Sequence, residues 1–360
     1  MTANESPPFE IAPRLKNERG EVRTAGFEIE YTGVSLREAC ELIRNIYGGT
    51  LDESKRFLHY VRDTSRGDFR VEVDARLLKE ERYRKTLEDL GLPSPQLPED
   101  AAAPSTGERL AGAIEDFVED VLARVAEFAI PFEIVTPPLP IDDLGPLDEL
   151  RERLRERRAL GSGASVIYAF GLHINPEAPS MAASDLQAHM MAFLVLEPRL
   201  QREARLDFTR QYLSPYIGEF PQSYVELILA PGYEPELPQL VRDYLEHNPT
   251  RNRPLDMLPL FLHAAGAAGE SVEQEVEAAV RAALPDNESH LVSGRPTYHF
   301  RMPDCRLDDP SWSIAFEWNR WLQVERLAAD PERLRELARE AVAVRREGRD
   351  WRERLEELLS

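Results

Sequence analysis

The side chains in this sequence best suited to chemistry are carboxylates and imidazoles, and many of them sit two residues apart. Glu28 and Glu30 lie in the run GFEIE, Glu72 and Asp74 in FRVEVD, Glu133 in PFEIV, His173 and Asn175 in GLHIN, and His299 and Arg301 in YHFRM. Carboxylates with one or two imidazoles suit magnesium or manganese better than a structural zinc. The two cysteines, Cys40 and Cys305, can build neither a disulfide framework nor a Cys-rich zinc site.

A spacing of two is also the period of a β-strand, so the same runs reveal the elements that must position these residues. From Val22 to Tyr31, the residues Phe27, Ile29 and Tyr31 face one way, and Glu28 and Glu30 the other. Phe69 to Asp74 repeats the pattern, with Phe69, Val71 and Val73 opposed to Arg70, Glu72 and Asp74. A short strand is expected over Phe132–Val135, closed by Thr136-Pro137-Pro138, and a longer one over Ser165–Asn175. In the latter, Phe170, Leu172 and Ile174 oppose Gly171, His173 and Asn175. A last strand is expected over Tyr298–Met302, with His299 and Arg301 on one face.

Laid side by side as an antiparallel sheet with their aliphatic faces on helices, these five strands bring every acid and imidazole to the opposite face. The plain alternative is a half-solvated sheet, in which apolar and polar residues alternate anyway, and each strand alone reads equally well that way. The set is less ordinary. Glu, Asp and His are poorer strand formers than Thr, Lys and Arg, and Gly171 leaves open space two positions before His173. Four or five carboxylates on one face would also repel one another unless cations neutralise them.

The helical elements follow from period 3.6. Ser35 to Glu38 has capping-box spacing, and Leu36, Ala39, Cys40, Ile43 and Ile46 form a stripe ending at Gly48-Gly49, which makes Cys40 a core residue. A second capping box, Ser105 to Glu108, opens a helix striped by Leu110, Ile114, Phe117, Val121 and Val125, after a surface loop or lid over residues 91–107. Leu147–Leu160 reads as an amphipathic helix ended by Gly161, and Asp330-Pro331 starts a final helix whose Leu334, Leu337, Ala341 and Val344 dock on the body before a solvated, charged end. The expected class is α+β. Residues 1–20 form a mobile tail, 21–326 a catalytic domain with a mainly helical insertion at about 184–290, and 327–360 the C-terminal helix.

In their order along the chain, GFEIE, Asp74 in FRVEVDARLL, Glu133 in FEIVTPPL, His173 in FGLHINPE and Arg301 in YHFRMPDC resemble the motifs of the amidoligases. These belong to the carboxylate–amine ligase superfamily, with glutamine synthetase and the glutamate–cysteine ligases. The resemblance runs from about residue 22 to 325 and rests on five short motifs. It implies a glutamine synthetase-like concave funnel, formed by an antiparallel sheet packed on helices, that holds ATP with Mg2+ or Mn2+. The activity implied is ligation of a small-molecule or peptide carboxylate to an amine. On this resemblance Glu28, Glu30, Glu133 and His173 are metal ligands and Arg301 contacts a phosphate or the acyl-phosphate. Asp74 matches an acidic position on a strand lining the same site, and Glu72 or Asp74 would be the base. The family pattern places a Glu two residues before the arginine, where this chain has His299, which either supplies a nitrogen ligand or marks an altered metal site. No P-loop pattern is present, so ATP would rest on metal ions and the sheet.

Two other classes compete. A metal-dependent hydrolase would use the same ligands to activate water, without nucleotide, and a non-catalytic binding protein could stand on a degenerate ligase fold. Arg251 and Arg253 in NPTRNRP are candidate contacts for a phosphate or a substrate carboxylate, against the plain reading of a loop leading to a helix capped by Asp256. Arg199, Arg202, Arg205 and Arg210 read as a solvated, ion-paired helix face, and Trp312, Trp318 and Trp321 as core. Cys305 with His299 would be the only basis for a thiol hydrolase.

With 360 residues, 44 Lys and Arg against 65 Asp and Glu give a net charge of −21. That excess, with the basic residues interleaved among acids, argues against nucleic acid as a partner. No run approaches the roughly 20 apolar residues of a membrane span, and the first ten residues carry no signal pattern, so a soluble, cytoplasmic protein is expected, with homo-oligomerisation left open.

Overall fold

In the computed structural model, the described residues are 7–74, 112–114, 116, 130–161, 170–203, 218–285 and 292–359. The chain opens its regular structure with β1 (Thr24–Tyr31), where the strand alternation puts Phe27, Ile29 and Tyr31 fully out of solvent. α1 (Leu36–Tyr47) follows. Its Ser35 cap accepts from the Glu38 N–H while the Glu38 side chain accepts from the Ser35 N–H, so the capping box satisfies donors at both ends of the first turn. A hairpin not anticipated from sequence comes next, β2 (Thr50–Lys55) and β3 (Leu58–Thr64), leading into β4 (Gly67–Val73). Local sequence gives no signal for it, because β2, TLDESK, carries one apolar residue and lies at the sheet edge, where no face need be apolar.

β5 (Phe132–Val135), β6 (Leu139–Pro140), α2 (Gly145–Glu156) and β7 (Leu172–Pro176) complete the first half. α2 stops earlier than expected, because Leu160 pairs with Thr32 in both directions instead of continuing the helix. Of the longer strand expected before His173, residues 162–169 lie outside the described residues. So do the 91–107 loop and the helix after Ser105, apart from helical residues that include a buried Ile114.

The 184–290 region supplies α3 (Ala183–Glu203), α4 (Gln222–Ile228), α5 (Leu237–His247), α6 (Leu258–Ala268) and α7 (Glu270–Ala283), but also a two-residue strand, β8 (Leu255–Asp256). β9 (His299–Phe300) is shorter than expected; beyond it, the Arg301 N–H donates to Pro254 O. α8 (Ile314–Ala328), α9 (Pro331–Arg346) and α10 (Trp351–Leu359) end the chain. The expected solvated end is thus a further helix. Trp351 is buried and its Nε1 donates to Val195 O at 3.0 Å, because its indole needs both apolar cover and an acceptor.

The sheet is open and antiparallel, in the order β2-β3-β4-β5-β1-β7-β9-β8, with β6 also paired to β1. Phe27, Ile29, Val71, Ile134, Leu172, Ile174, Phe300 and Leu255 fall in register across it and form one continuous apolar face. Helices cover that face. α1 packs on β3 and β4, Trp318 of α8 lies 6.5 Å from Phe27, Trp321 lies 5.6 Å from Phe300, and Phe193 of α3 lies 6.2 Å from Phe300. α3 packs in turn against α8, α9 and α10, which explains why nearly all of AHMMAFLVL is buried. Residues 7–20, expected as a mobile tail, are hydrogen-bonded along this body. The Trp318 Nε1 donates to Glu10 O, the Asn319 Nδ2 to Pro8 O, and Arg14 pairs with Asp185 at 2.6 Å. Among the described residues no helix is long and apolar enough to cross a membrane.

Candidate functional site

Residues directly opposed in antiparallel strands project from the same face, so the register alone builds the polar side of the sheet. Glu133 on β5 is opposed to Glu30 on one side and Glu72 on the other. One step along, Val135 is opposed to Arg70 and Glu28, and Glu28 to His173. A further step pairs Gly26 with Asn175, and on the far strands His299 with Asp256. Alternation within β1, fixed by three buried aromatic and aliphatic residues, leaves Glu28 and Glu30 no other direction to point.

Of the five expected ligands, three converge. Glu28, Glu133 and His173 each offer a donor atom, all within 4.8 Å of one another. The His173 Nδ1 lies 2.8 Å from Glu28 Oε2, and the Asn175 Nδ2 donates to Glu28 Oε1 at 3.0 Å, so Glu28 is oriented from both oxygens. Glu30 lies alongside: its Oε2 accepts the Gly171 N–H at 2.6 Å, and its Oε1 is 3.9 Å from His173 Nε2. The absence of a side chain at Gly171 belongs with that contact, because here the backbone itself approaches a carboxylate. Glu30, Glu133, Asp74 and His173 are all buried. Two carboxylates and an imidazole at this separation, with a third carboxylate beside them, form a donor set that fits a divalent cation.

The remaining candidates divide into two places. Glu72 is ion-paired with Arg70 at 3.1 Å, and Asp74, just beyond β4, donates its N–H to Pro131 O. His299 and Arg301 stand with Asp256, an acid that no sequence pattern marked as part of the site. Asp256 Oδ2 is 3.4 Å from Arg301 Nη2 and 3.6 Å from Arg251 Nε, while its Oδ1 accepts the Leu258 N–H. The N-cap of α6 is Met257 and not Asp256 as expected, because Asp256 is the last residue of β8; its carboxylate accepts the Leu258 N–H and holds the two arginines. Burial lowers the pKa of His299 to about 4 against the attraction of Asp256 and Glu28, so its imidazole is neutral at neutral pH. Arg253 is turned elsewhere: it donates to Asn248 Oδ1 and Glu219 O, and its guanidinium lies over the Phe220 ring.

The sulfur chemistry considered above has no support. Cys40 and Cys305 are buried, and burial pushes the Cys40 thiol up to about 12 and that of Cys305 well above its ordinary value, so neither is a thiolate at neutral pH. Arg199 pairs with Glu203 and Arg202 with Glu356, as an ion-paired helix face requires; Arg205 and Arg210 lie outside the described residues. Trp312, Trp318 and Trp321 are core.

A family model described as "Putative amidoligase enzyme" matches residues 21–323 of the chain. No curated protein and no solved structure matches it.

Proposed function

The chain belongs to the amidoligase family, and on that premise we propose that it is an ATP- and divalent-metal-dependent ligase joining a carboxylate to an amine through an acyl-phosphate. The observation that carries this reading is the convergence of Glu28, Glu133 and His173 from three strands. The polar side of the sheet would be the floor of a glutamine synthetase-like funnel, and residues of the 184–290 region would select a small-molecule or peptide substrate.

A carboxylate is a poor electrophile. In the proposed reaction its oxygen attacks the γ-phosphorus of ATP, the bond to the bridging oxygen breaks, and ADP leaves. The amine nitrogen then attacks the acyl carbon, the bond to phosphate breaks, and the nitrogen gives its surplus proton to a base. Mg2+ or Mn2+ held by Glu28, Glu133 and His173, with Glu30 adjoining, would neutralise phosphate charge. His173 is oriented by Glu28, and Glu30 by the Gly171 N–H, so these donors are held before any ligand arrives. Arg301 is suited to the leaving phosphate oxyanion, with Arg251 beside it. Glu72, ion-paired with Arg70, and Asp74 just beyond the same strand are the two candidates for the base.

The test begins with metal. Mn2+ binding followed by calorimetry should weaken at least about tenfold in Glu133→Gln and in Glu28→Gln, with the fold retained by circular dichroism. Incubation with ATP, Mg2+ and pools of amino acids or small carboxylates should release ADP and phosphate from the native protein and not from these variants. A folded protein that binds neither divalent cation nor nucleotide with any pool would overturn the reading.

A further inference from the structure

We propose that Asp256 is a positioning residue that draws Arg301 and Arg251 together into one two-pronged subsite for a phosphate oxyanion at the edge of the acidic face. This rests on the ligase reading only for which phosphate occupies the subsite, the terminal phosphate of a nucleotide or that of an acyl-phosphate.

Asp256 is 0 % exposed, and a buried carboxylate is costly unless cations and hydrogen bonds compensate it. One oxygen accepts the Leu258 N–H at 3.1 Å. The other meets two guanidiniums from separate segments, Arg301 just after β9 and Arg251 from the loop before β8. Two arginines brought to one place repel each other, and the carboxylate between them holds them there. Arg301 is itself 7 % exposed, and among the described residues its buried Nε has no hydrogen-bond partner. A buried, charged donor without an acceptor calls for an anionic ligand, and paired guanidiniums match the oxygen geometry of phosphate.

The subsite adjoins the cation-binding group. His299, the cross-strand partner of Asp256, lies within Coulombic range of Glu28 on one side and of Arg301 and Arg251 on the other. Were a divalent cation held by Glu28, Glu133 and His173, a phosphate spanning the two would meet positive charge at both ends.

The experiment uses the full chain in EDTA, with orthophosphate and pyrophosphate as probes, acetate as the carboxylate control, and affinity read by calorimetry. The native protein should bind pyrophosphate and discriminate against acetate. Arg251→Gln and Asp256→Asn should each weaken binding at least about tenfold, the effect of one charge-assisted hydrogen bond. The sign for Asp256→Asn is the discriminating readout. Removing a negative charge beside two arginines would tighten anion binding by Coulomb attraction alone, whereas loss of positioning weakens it. Unchanged or tighter binding in a folded Asp256→Asn overturns the proposal, as does a native protein that binds no pyrophosphate or prefers acetate. Should Asp256→Asn fail to fold, Arg251→Gln decides, and unaltered affinity there overturns it. Arg251→Lys, which keeps the charge and loses the fork, should recover only part of the affinity. A normal pyrophosphate response with no ADP release from any substrate pool would sink the ligase reading and leave this one standing.

Discussion

Glu197 shows how strongly a single position in this chain can depart from ordinary behaviour. It lies within α3, where burial first, and repulsion from Glu219 next, outweigh Arg345 and Arg253 and raise its pKa from 4.5 to about 7. A raised carboxyl pKa has a definite sign in stability. Its contribution is fully present below about pH 4.5, where both states hold the proton, and is lost as pH rises through 7, because the unfolded chain releases that proton first. The difference amounts to about 3 kcal/mol. Glu197→Gln mimics the protonated form. Urea unfolding at pH 8 should find this variant more stable than the native protein by about 2–3 kcal/mol, and at pH 5 the two should nearly coincide. An identical pH slope in both proteins would refute the assignment. The site residues are a different case at this scale. Glu28 and Glu133 are bracketed by apolar neighbours whose burial dictates their direction, so their common face could be read from the chain. Asp256 stands in a two-residue strand, too short for alternation to mark it.

At the scale of elements, the capping box of α1 and the apolar stripes are local signals and were legible as such. The β2–β3 hairpin was not, since its edge strand carries a single apolar residue and so shows no alternation. Its placement depends on Gly49, which enters β2 at φ +94; a Cβ there would lie 2.4 Å from Arg62 O and 3.1 Å from Thr64 N. Both atoms belong to the partner strand's backbone, which cannot move without breaking the ladder. Gly49→Ala should therefore cost about 2 kcal/mol or more, from left-handed strain together with the collision. Chemical denaturation would detect that loss, and undiminished stability would show that the hairpin start is more pliant than its geometry implies. The shortening of α2 follows the same logic in reverse, because strand-like pairing of Leu160 with Thr32 outcompetes another helical turn.

For the whole molecule, a buried ion pair joins distant parts of the chain. Arg23, just before β1, is fully buried and pairs through both terminal nitrogens with Glu325 of α8, at 2.5 and 2.9 Å. Its remaining donors reach Glu177 O and Arg14 O, and Glu325 also accepts from the Trp321 Nε1. One guanidinium thus ties the N-terminal segment, the sheet and the covering helix layer together. Glu325→Gln would leave that guanidinium buried without its counter-charge, at a cost of about 3–5 kcal/mol. A double variant, Arg23→Met with Glu325→Leu, should lose less than either single change, because no uncompensated charge remains. Equal losses in the single and double variants, measured by thermal unfolding, would exclude this account.

What the sequence determined by itself is the direction of side chains along the expected strands and the capped starts of α1 and α9. Those are properties of a few consecutive residues and of the pleat or turn they impose. Which strand lies beside which was left to the tertiary structure. Glu28 meets His173, and Glu133 falls between Glu30 and Glu72, only once segments over a hundred residues apart or on opposite sides of β5 adopt one register. The pairing of Asp256 with Arg301 and Arg251 likewise appears only when β8 joins β9 at the sheet edge. Registers of this kind are chosen by the packing of the whole apolar face, and no local run of residues contains that information.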